Sequence, residues 1–325
     1  MRILFIGETK GNIGPSNVNK GIVQNLTAGF WHIKTENKYV QMVEALGICL
    51  FSDVVVVSGL SKQGMFLTGF AKSIGKKVVY IMHGCVAYEA VVNQQKNVEA
   101  ALRQEQYMLE NADLLLPVSR KFSKWVCSRY PQYTSKTKYL FNGIDTAFRV
   151  VHENARKIKG AIAAAGADRG VKNNIVVARA VEGMKGEAML TVYGTIYHKP
   201  PAGFRYSQYI DRIPRSDFLK RLQETELFVV NSVFETFSIS AVEALFCGCS
   251  ILISENVGVT DLLALEECDI IHDPMDEEEI RTKIEYLLEH PNNQRILDKL
   301  DIDEYSYAKQ VERLEAMCRE LIEKP

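Results

Sequence analysis

Along the first 145 residues, short runs of apolar residues alternate with segments in which apolar residues recur at helical spacing. Consecutive β-branched residues, as in "DVVVVSGL", are typical of strands in a parallel sheet that is covered on both faces. Strands are predicted over 2–8, 53–60, 76–84, 112–119 and 137–145, and helices over 17–30, 63–74, 93–111 and 120–129. Strands separated by helices predict crossover units and a doubly wound α/β domain.

The same alternation restarts near residue 146. Strands are predicted over 161–167, 189–195, 204–210, 226–232 and 250–254, and helices over 172–184, 215–225 with Ser216 as its cap, 276–290 and 304–322. The restart predicts two Rossmann-like domains, because a chain of 325 residues exceeds what one hydrophobic core usually holds. We expect domains over 1–145 and 146–302, and a helix over 303–325 that packs back on the N-terminal domain.

Composition narrows the class of protein without naming an activity. Hydrophobic residues make up 47% and charged residues 24% of the chain, as in ordinary soluble proteins. Gly7 and Glu8 end the first apolar run too early for a signal peptide, and no run reaches the roughly 18 residues of a membrane span. Seven scattered cysteines disfavour a metal site or a disulfide framework, so a cytoplasmic protein is expected.

Charge is distributed unevenly between the two predicted domains. Residues 1–145 hold 17 Lys and Arg against 10 Asp and Glu, a net charge of +7, and the remainder carries −8. This asymmetry favours an anionic partner for the N-terminal half, either a membrane surface or a phosphate group, although a solvated basic face is the alternative. Nucleic acid is not among the expected partners.

Ligands of open parallel sheets bind beyond the carboxyl ends of the strands, so the strand tips hold the candidate site residues. The first tip, "ETKGNIGPSN", lacks the G-x-G-x-x-G spacing of a dinucleotide site, which disfavours a nicotinamide dehydrogenase. Gly11 and Gly14 still permit either a tight loop with amides facing an anion or a simple flexible turn. His83, at another tip, is either a hydrogen-bonding partner of a ligand or a structural histidine.

Arg169 and Lys172 lie at the predicted start of the helix that follows strand 161–167. Two cations at a helix N-terminus oppose the helix dipole, which favours acidic side chains there. A diphosphate would resolve this conflict by binding both cations and the unpaired amides. The misfit therefore predicts an anion site.

Glu235 and Glu243 flank the start of another predicted helix, in "FETFSISAVEAL". Eight helical residues rise about 12 Å, so the two carboxylates are expected to serve two parts of one elongated ligand and not to share a proton. Glu243 would accept hydroxyl hydrogens of a ribose, and Glu235 those of a second sugar. The amides of Phe237 and Ser238 lie between them, where a diphosphate would fit. A structural Glu243, paired with a buried arginine or amide, is the alternative.

The segment "ETFSISAVEAL" resembles the E-x7-E motif of retaining nucleotide-sugar glycosyltransferases, family 4. Further segments follow in that family's order along nearly the whole chain: "HG" (83–84), "ADLLLPVS", "KYLFNGID", the Arg169 and Lys172 pair, "EALFCGCSILISENVG" and "YSYAKQVERLEAM". The resemblance implies the GT-B fold, two Rossmann-like domains that face a central cleft.

The resemblance also implies an activity and roles for the site residues. The enzyme would be a metal-independent, retaining hexosyltransferase without a cofactor, which moves a sugar from a nucleotide-diphosphate sugar to a hydroxyl of a glycan or lipid-diphosphate-linked acceptor. Arg169 and Lys172 would bind the diphosphate, Glu243 the ribose and Glu235 the donor sugar. His83 would approach the transferred sugar and Gly14 would line the cleft.

The implied setting is surface polysaccharide synthesis, in the cytoplasm or at the inner face of the plasma membrane. Thr236 and Ser238 stand where the family usually has glycines, and the spacing of Arg169 and Lys172 is short. Two alternatives remain open: a catalytically silent GT-B partner or scaffold protein, and an epimerase or phosphorylase of the same fold.

Overall fold

The computed structural model describes residues 1–11, 14–32, 38–145, 156–166, 169–185, 187–196 and 203–323. Residue contacts divide the chain into two compact units. The first unit comprises residues 1–91, 95–145 and 302–325, and the second comprises 92–94 and 146–301. Within the described ranges, the helices are too short or too polar to cross a membrane.

The first unit is built on a five-stranded parallel sheet with the order β2-β1-β3-β4-β5. Its strands are β1 (Arg2–Ile6), β2 (Gly29–His32), β3 (Val54–Ser58), β4 (Lys77–Met82) and β5 (Leu114–Pro117). Its helices are α1 (Gly14–Asn25), α2 (Lys38–Phe51), α3 (Lys62–Ser73), α4 (Val86–Val92), α5 (Glu99–Asn111), α6 (Arg120–Arg129) and, from the chain's end, α12 (Tyr307–Glu323). All five residues of β3 are buried, as its β-branched run predicts.

The second unit is built on a six-stranded parallel sheet with the order β11-β10-β9-β6-β7-β8. Its strands are β6 (Ala161–Ala165), β7 (Met189–Tyr193), β8 (Ser207–Ile210), β9 (Leu227–Val230), β10 (Ser250–Ser254) and β11 (Ile270–Ile271). Its helices are α7 (Asn174–Gly183), α8 (Arg215–Gln223), α9 (Ile239–Phe246), α10 (Glu277–Glu289) and α11 (Asn293–Lys299). Helices α7 and α10 supply much of the apolar core that covers one side of this sheet.

The structure corrects several predicted elements. Residues 137–145 form isolated bridges, Leu115 with Thr137 and Ile144 with Ser306, instead of a strand. The predicted helix over 17–30 ends at Asn25, because β2 begins at Gly29 and pairs with β1. Ser216 does not cap α8, because the helix already begins at Arg215 and Pro214 occupies the N-cap.

Helix α12 belongs to the first unit and packs against α1. Its buried Glu315 accepts hydrogen bonds from the amides of Thr27 and Ala28, both at 2.7 Å, and from the Thr27 hydroxyl at 2.8 Å. Burial would raise the pKa of this carboxyl, but the three hydrogen bonds hold it below its usual value. Glycines at 21 and 143 leave room for the ring of Tyr307, because a side chain at either position would clash with it.

Replacing Glu315 with alanine should lower the free energy of unfolding of the first unit by about 2 kcal/mol, because donors that it satisfies lose their acceptor. Both tryptophans of the chain, Trp31 and Trp125, lie in this unit, so tryptophan fluorescence during urea unfolding reports on it. Glu312→Ala is the matched control. Glu312 is exposed on the same helix, and its ion pair with Lys309 should contribute little to stability, because water and salt screen exposed charges. Equal effects of the two substitutions would contradict the assigned role of Glu315.

Candidate functional site

The second unit has its topological switch point between β6 and β9. From β6 the chain continues to β7 and β8 on one side, whereas β9, β10 and β11 lie on the other side. Ligands of open α/β sheets bind beyond the carboxyl ends of the strands at such a point. The segments that follow β6 and β9 meet there, and the amide of Val233 donates to the carbonyl of Val171 at 3.0 Å.

Lys172 and Glu235 form an ion pair across this switch point. Lys172 ends a 3-10 turn, Gly170–Lys172, after β6, and its Nζ contacts Oε2 of Glu235 after β9. Their side chains are only 14% and 16% exposed. Gly166 has a φ of +100°, and a Cβ at this position would clash with the aliphatic chain of Lys172. The glycine therefore lets the lysine side chain pass close to the backbone at the end of β6.

The charges around Glu235 keep it ionised. Burial alone would raise the pKa of its carboxyl, but the ammonium of Lys172 and the guanidinium of Arg169 hold that pKa below its usual value. The amide of Phe237 adds a long contact of 3.5 Å to Oε1. Glu235 is therefore a carboxylate at neutral pH, and Lys172 occupies one of its two oxygens.

Arg169 precedes the 3-10 turn and is partly buried. Within the part of the chain that the structure describes, its guanidinium makes no hydrogen bond or ion pair, and it acts on Glu235 through its field alone. The two predicted cations are thus unequal. Lys172 is already paired with an acid, a contact that no local sequence pattern predicts, whereas Arg169 has no such partner among the described residues. Helix α7 begins at Asn174, two residues after Lys172.

The segment between Glu235 and α9 presents backbone amides close to this ion pair. Phe237 is buried, and Ser238 has a φ of +82° at the N-cap of α9, a conformation that glycine adopts more readily. The Ser238 hydroxyl does not cap the helix and lies 3.4 Å from that of Ser240. In the described structure no side chain caps the first turn of α9, so its amides are suited to an anion.

Glu243 lies one turn into α9 and is paired with Arg215, the first residue of α8. The Nε and one terminal nitrogen of Arg215 lie 2.7 Å and 2.6 Å from the same carboxylate oxygen, Oε1. The glutamate is 12% exposed and the arginine 32%. Glu235 and Glu243 therefore have separate cationic partners, and Glu243 has the arginine pairing that the structural alternative for this residue predicted.

Sequence reasoning did not select Arg215, although a signal was present. Arg215 is a cation at the start of a helix, which is the same conflict with the helix dipole that identified Arg169 and Lys172. Its partner comes from another helix, and no local spacing indicates that α8 packs beside α9.

His83 lies just beyond β4 in the first unit and is held by a chain of hydrogen bonds. Its Nε2 is 2.8 Å from the Ser58 hydroxyl, which donates to Oδ1 of Asn19 at 2.5 Å. The amide nitrogen of Asn19 donates to the carbonyl of Glu8 at 2.9 Å, which fixes the orientation of the Asn19 side chain. Because the Ser58 hydrogen is used on Asn19, its oxygen accepts from His83, so Nε2 carries a proton. Burial lowers the pKa of His83 to about 4.

Gly14 is the first residue of α1, beyond the carboxyl end of β1, and it is exposed. Ser16, two residues further, is buried, and its hydroxyl has no hydrogen-bond partner in the described structure. In the same ranges, His, Cys, Asp and Glu side chains do not gather into a cluster of three that would hold a metal ion.

Comparisons with known proteins agree with this architecture. Residues 206–300, which include Arg215, Glu235 and Glu243, match the sequence model of group 1 glycosyl transferases. No curated protein gives a sequence match.

Several solved structures share the fold over the whole chain. The Anabaena protein HepE, in complex with UDP and glucose, is 12% identical and superposes with a TM-score of 0.72, covering 98% of this chain and 100% of its own. Sucrose-phosphate synthase from Thermosynechococcus elongatus is 14% identical, with a TM-score of 0.72 and 99% of both chains covered. WaaG, a glycosyltransferase of lipopolysaccharide biosynthesis, is 15% identical with a TM-score of 0.63 over 98% of this chain and 99% of its own. The chain has the two-domain GT-B fold.

The hydrogen-bond chain to His83 predicts that this histidine stays neutral, as the Nε2–H tautomer, at pH 5.5. His272 is the matched control, because it is exposed and its hydrogen bonds to Glu255 and Glu267 raise its pKa. Nitrogen-15 NMR of the imidazole rings should show His272 charged and His83 uncharged at this pH. A His83 that titrates together with His272 would contradict the described environment.

Proposed function

We propose that the protein is a retaining glycosyltransferase that moves a sugar from a nucleotide-diphosphate sugar to a hydroxyl of a glycan or lipid-diphosphate-linked acceptor. The observation that carries the proposal is the arrangement at the switch point of the second unit. An arginine without an ion-pair partner in the described structure and the uncapped first turn of α9 lie beside the Lys172–Glu235 pair. The match of residues 206–300 to group 1 glycosyl transferases supports the same reading.

The donor diphosphate binds Arg169, Lys172 and the amides at the start of α9. The ammonium group of Lys172 has three N–H donors, so it can keep Glu235 and still donate to a phosphate oxygen. Glu235 has Oε1 for hydroxyls of the donor sugar, since Lys172 occupies Oε2. Glu243 holds the ribose, and Phe237 and Ser238 contribute backbone contacts. His83 approaches the transferred sugar, and Gly14 lines the donor site from the first unit.

The reaction proceeds on one face of the donor sugar, without an enzyme nucleophile and without a metal. The bond between the anomeric carbon and the diphosphate oxygen breaks, and its electron pair stays on the diphosphate. The acceptor oxygen forms the new bond on the same face, and its proton passes to a diphosphate oxygen. Arg169 and Lys172 stabilise the negative charge that grows on the leaving group, which is the main electrostatic contribution to catalysis.

Comparisons and charge support the proposed nucleotide and setting. Solved structures of HepE contain UDP and UDP-glucose, so uridine nucleotides are the first donors to test. The net charge of +7 in residues 1–145 suits an anionic acceptor at the inner face of the plasma membrane, and surface polysaccharide synthesis is the proposed setting.

Two measurements test the function together. A thermal-shift screen over nucleotide sugars should show a raised melting temperature with the correct donor. A donor labelled in its sugar should then transfer the label to a new hydroxyl of a supplied acceptor, with the anomeric configuration retained. Donor binding without turnover would favour a silent GT-B partner protein, and a label that stays on the nucleotide or moves to phosphate would favour an epimerase or a phosphorylase.

Removing either cation of the diphosphate site should mainly lower turnover. Arg169→Ala and Lys172→Ala should each reduce kcat by about a hundredfold or more, because each removes stabilisation of the leaving diphosphate. Arg179→Ala is the control, since Arg179 is an exposed arginine of α7 that pairs with Glu277. Steady-state kinetics with the donor identified by thermal shift would measure kcat for each variant. Wild-type kcat in both site variants would dismiss the assignment.

Two roles of Glu243, binding the ribose and pairing with Arg215, can be distinguished by measuring UDP affinity and thermal stability in the same variants. If Glu243 holds the ribose, Glu243→Ala should weaken UDP binding by about tenfold, the loss of roughly one charge-assisted hydrogen bond. Arg215→Met should change UDP affinity less, because it leaves the carboxylate in place. Titration calorimetry with UDP and thermal unfolding without it would be measured on both variants. Equal loss of stability with unchanged UDP affinity would identify Glu243 as a structural partner of Arg215.

A further inference from the structure

A short segment between α4 and α5 belongs to the second unit. Residues 92–94 group with residues 146–301, although the chain before and after them belongs to the first unit. Helix α4 ends at Val92, and Gln94, two residues further, has a φ of +51°. A left-handed backbone is costly for a residue other than glycine, and it persists where the surrounding structure enforces it. The conformation therefore indicates that specific contacts hold the 92–94 segment in place.

The 92–94 segment lies against the 3-10 turn Gly170–Lys172 of the candidate site. The Oδ1 of Asn93 accepts a hydrogen bond of 3.0 Å from the amide of Val171. A Cβ at Gly170 would lie 2.6 Å from the carbonyl oxygen of Val92, which is closer than side chains approach backbone atoms. The φ of Gly170 is outside the left-handed range, so the glycine is required by this close approach and not by its own backbone conformation.

Val171 is anchored by both of its backbone groups. Its amide donates to Asn93, and its carbonyl accepts from the amide of Val233, in the segment that follows β9. Val171 is 2% exposed, so the loss of the Asn93 side chain would leave a buried donor without an acceptor. Lys172 is the next residue, and its ammonium pairs with Glu235. The hydrogen bond to Asn93 therefore helps to fix the backbone from which the Lys172 side chain extends.

The acceptor that Asn93 supplies is uncharged. Arg169 and Lys172 lie on either side of Val171 in the chain, and the proposed function needs their positive charge for a diphosphate. The substitution Asn93→Asp would keep an oxygen acceptor at this position, but its carboxylate would offset that positive charge. A side-chain amide supplies the hydrogen bond and leaves the charge of the site unchanged.

We propose that Asn93 is a positioning residue for the diphosphate site of the second unit. It holds the amide of Val171, and through the 3-10 turn it holds the ammonium of Lys172 against Glu235 and toward the leaving diphosphate. The alternative is ordinary loop packing, in which Asn93 stabilises the unit without acting on Lys172. The inference rests on the proposed function for its effect on catalysis. The effect on the Lys172–Glu235 pair needs no donor and no turnover.

A double-mutant cycle tests whether Asn93 acts through Lys172. Asn93→Ala should lower kcat by about tenfold and change the KM of the donor by less than about twofold, because a displaced ammonium stabilises the leaving group less well. In a Lys172→Ala background, the same substitution should change kcat by less than about twofold, because the group that Asn93 positions is gone. An equal loss of kcat in both backgrounds would identify a separate, structural role and overturn the inference.

The carboxyl group of Glu235 reports on the ion pair in the absence of any donor. Carbon-13 NMR of the full chain, labelled at the glutamate carboxyl carbons, would follow its titration, and the signal missing from Glu235→Gln identifies it. Lys172 holds the pKa of this carboxyl below its usual value, so Asn93→Ala should raise that pKa and move the titration to higher pH. Gly170→Ala should act in the same direction, because its Cβ would push the turn away from Val92.

Gln95→Ala is the matched control. Gln95 is exposed, lies two residues beyond Asn93, and makes no side-chain hydrogen bond within the described ranges, so this variant should keep the wild-type kcat and the wild-type pKa of Glu235. An unchanged pKa of Glu235 in both Asn93→Ala and Gly170→Ala would overturn the inference, and a lowered kcat in Lys172→Ala would then leave the proposed function standing. Conversely, a raised pKa in a protein that transfers no sugar would support the positioning role while the proposed function failed.

Discussion

The largely buried ion pair between Lys172 and Glu235 is the interaction on which the candidate site depends. It joins the loops that follow β6 and β9, the two strands at the switch point of the second sheet. Taking two charges out of water is costly unless they meet, so each side chain fixes the position of the other. Burial would raise the pKa of Glu235, but the pair with Lys172 lowers it. The carboxylate therefore stays ionised beside Lys172 and Arg169, which follow β6.

The surroundings of this pair are arranged for a further anion. Arg169 adds positive charge without an ion-pair partner in the described ranges, and the first turn of α9 offers amides without a side-chain cap. Ser238 holds a left-handed backbone conformation at the start of that turn, which costs a non-glycine residue on the order of 1 kcal/mol. A backbone held at such a cost, next to charges that do not cancel, is typical of a binding site more than of a structural loop.

Local sequence patterns predicted much of the fold and several candidate site residues, but not the contacts between those residues. The β-branched run of β3 was readable because burial on both faces leaves no polar position. Arg169 and Lys172 were selected as cations at a helix start, but α7 begins only at Asn174, so both cations lie in the segment that precedes the helix. The contact of Lys172 with Glu235 depends on β6 lying beside β9, a long-range fact of strand order that no local spacing contains. Helix α2 was missed for another reason: its outward face is apolar, so the polar side that marks a surface helix is absent.

A crystal soaked with UDP would show directly whether the diphosphate binds at the switch point of the second sheet. We expect the diphosphate to lie against Arg169, Lys172 and the first amides of α9, with Lys172 still within reach of Glu235 and the ribose at Glu243. A nucleotide bound away from these groups, with the Lys172–Glu235 pair closed and Arg169 without a phosphate contact, would contradict it.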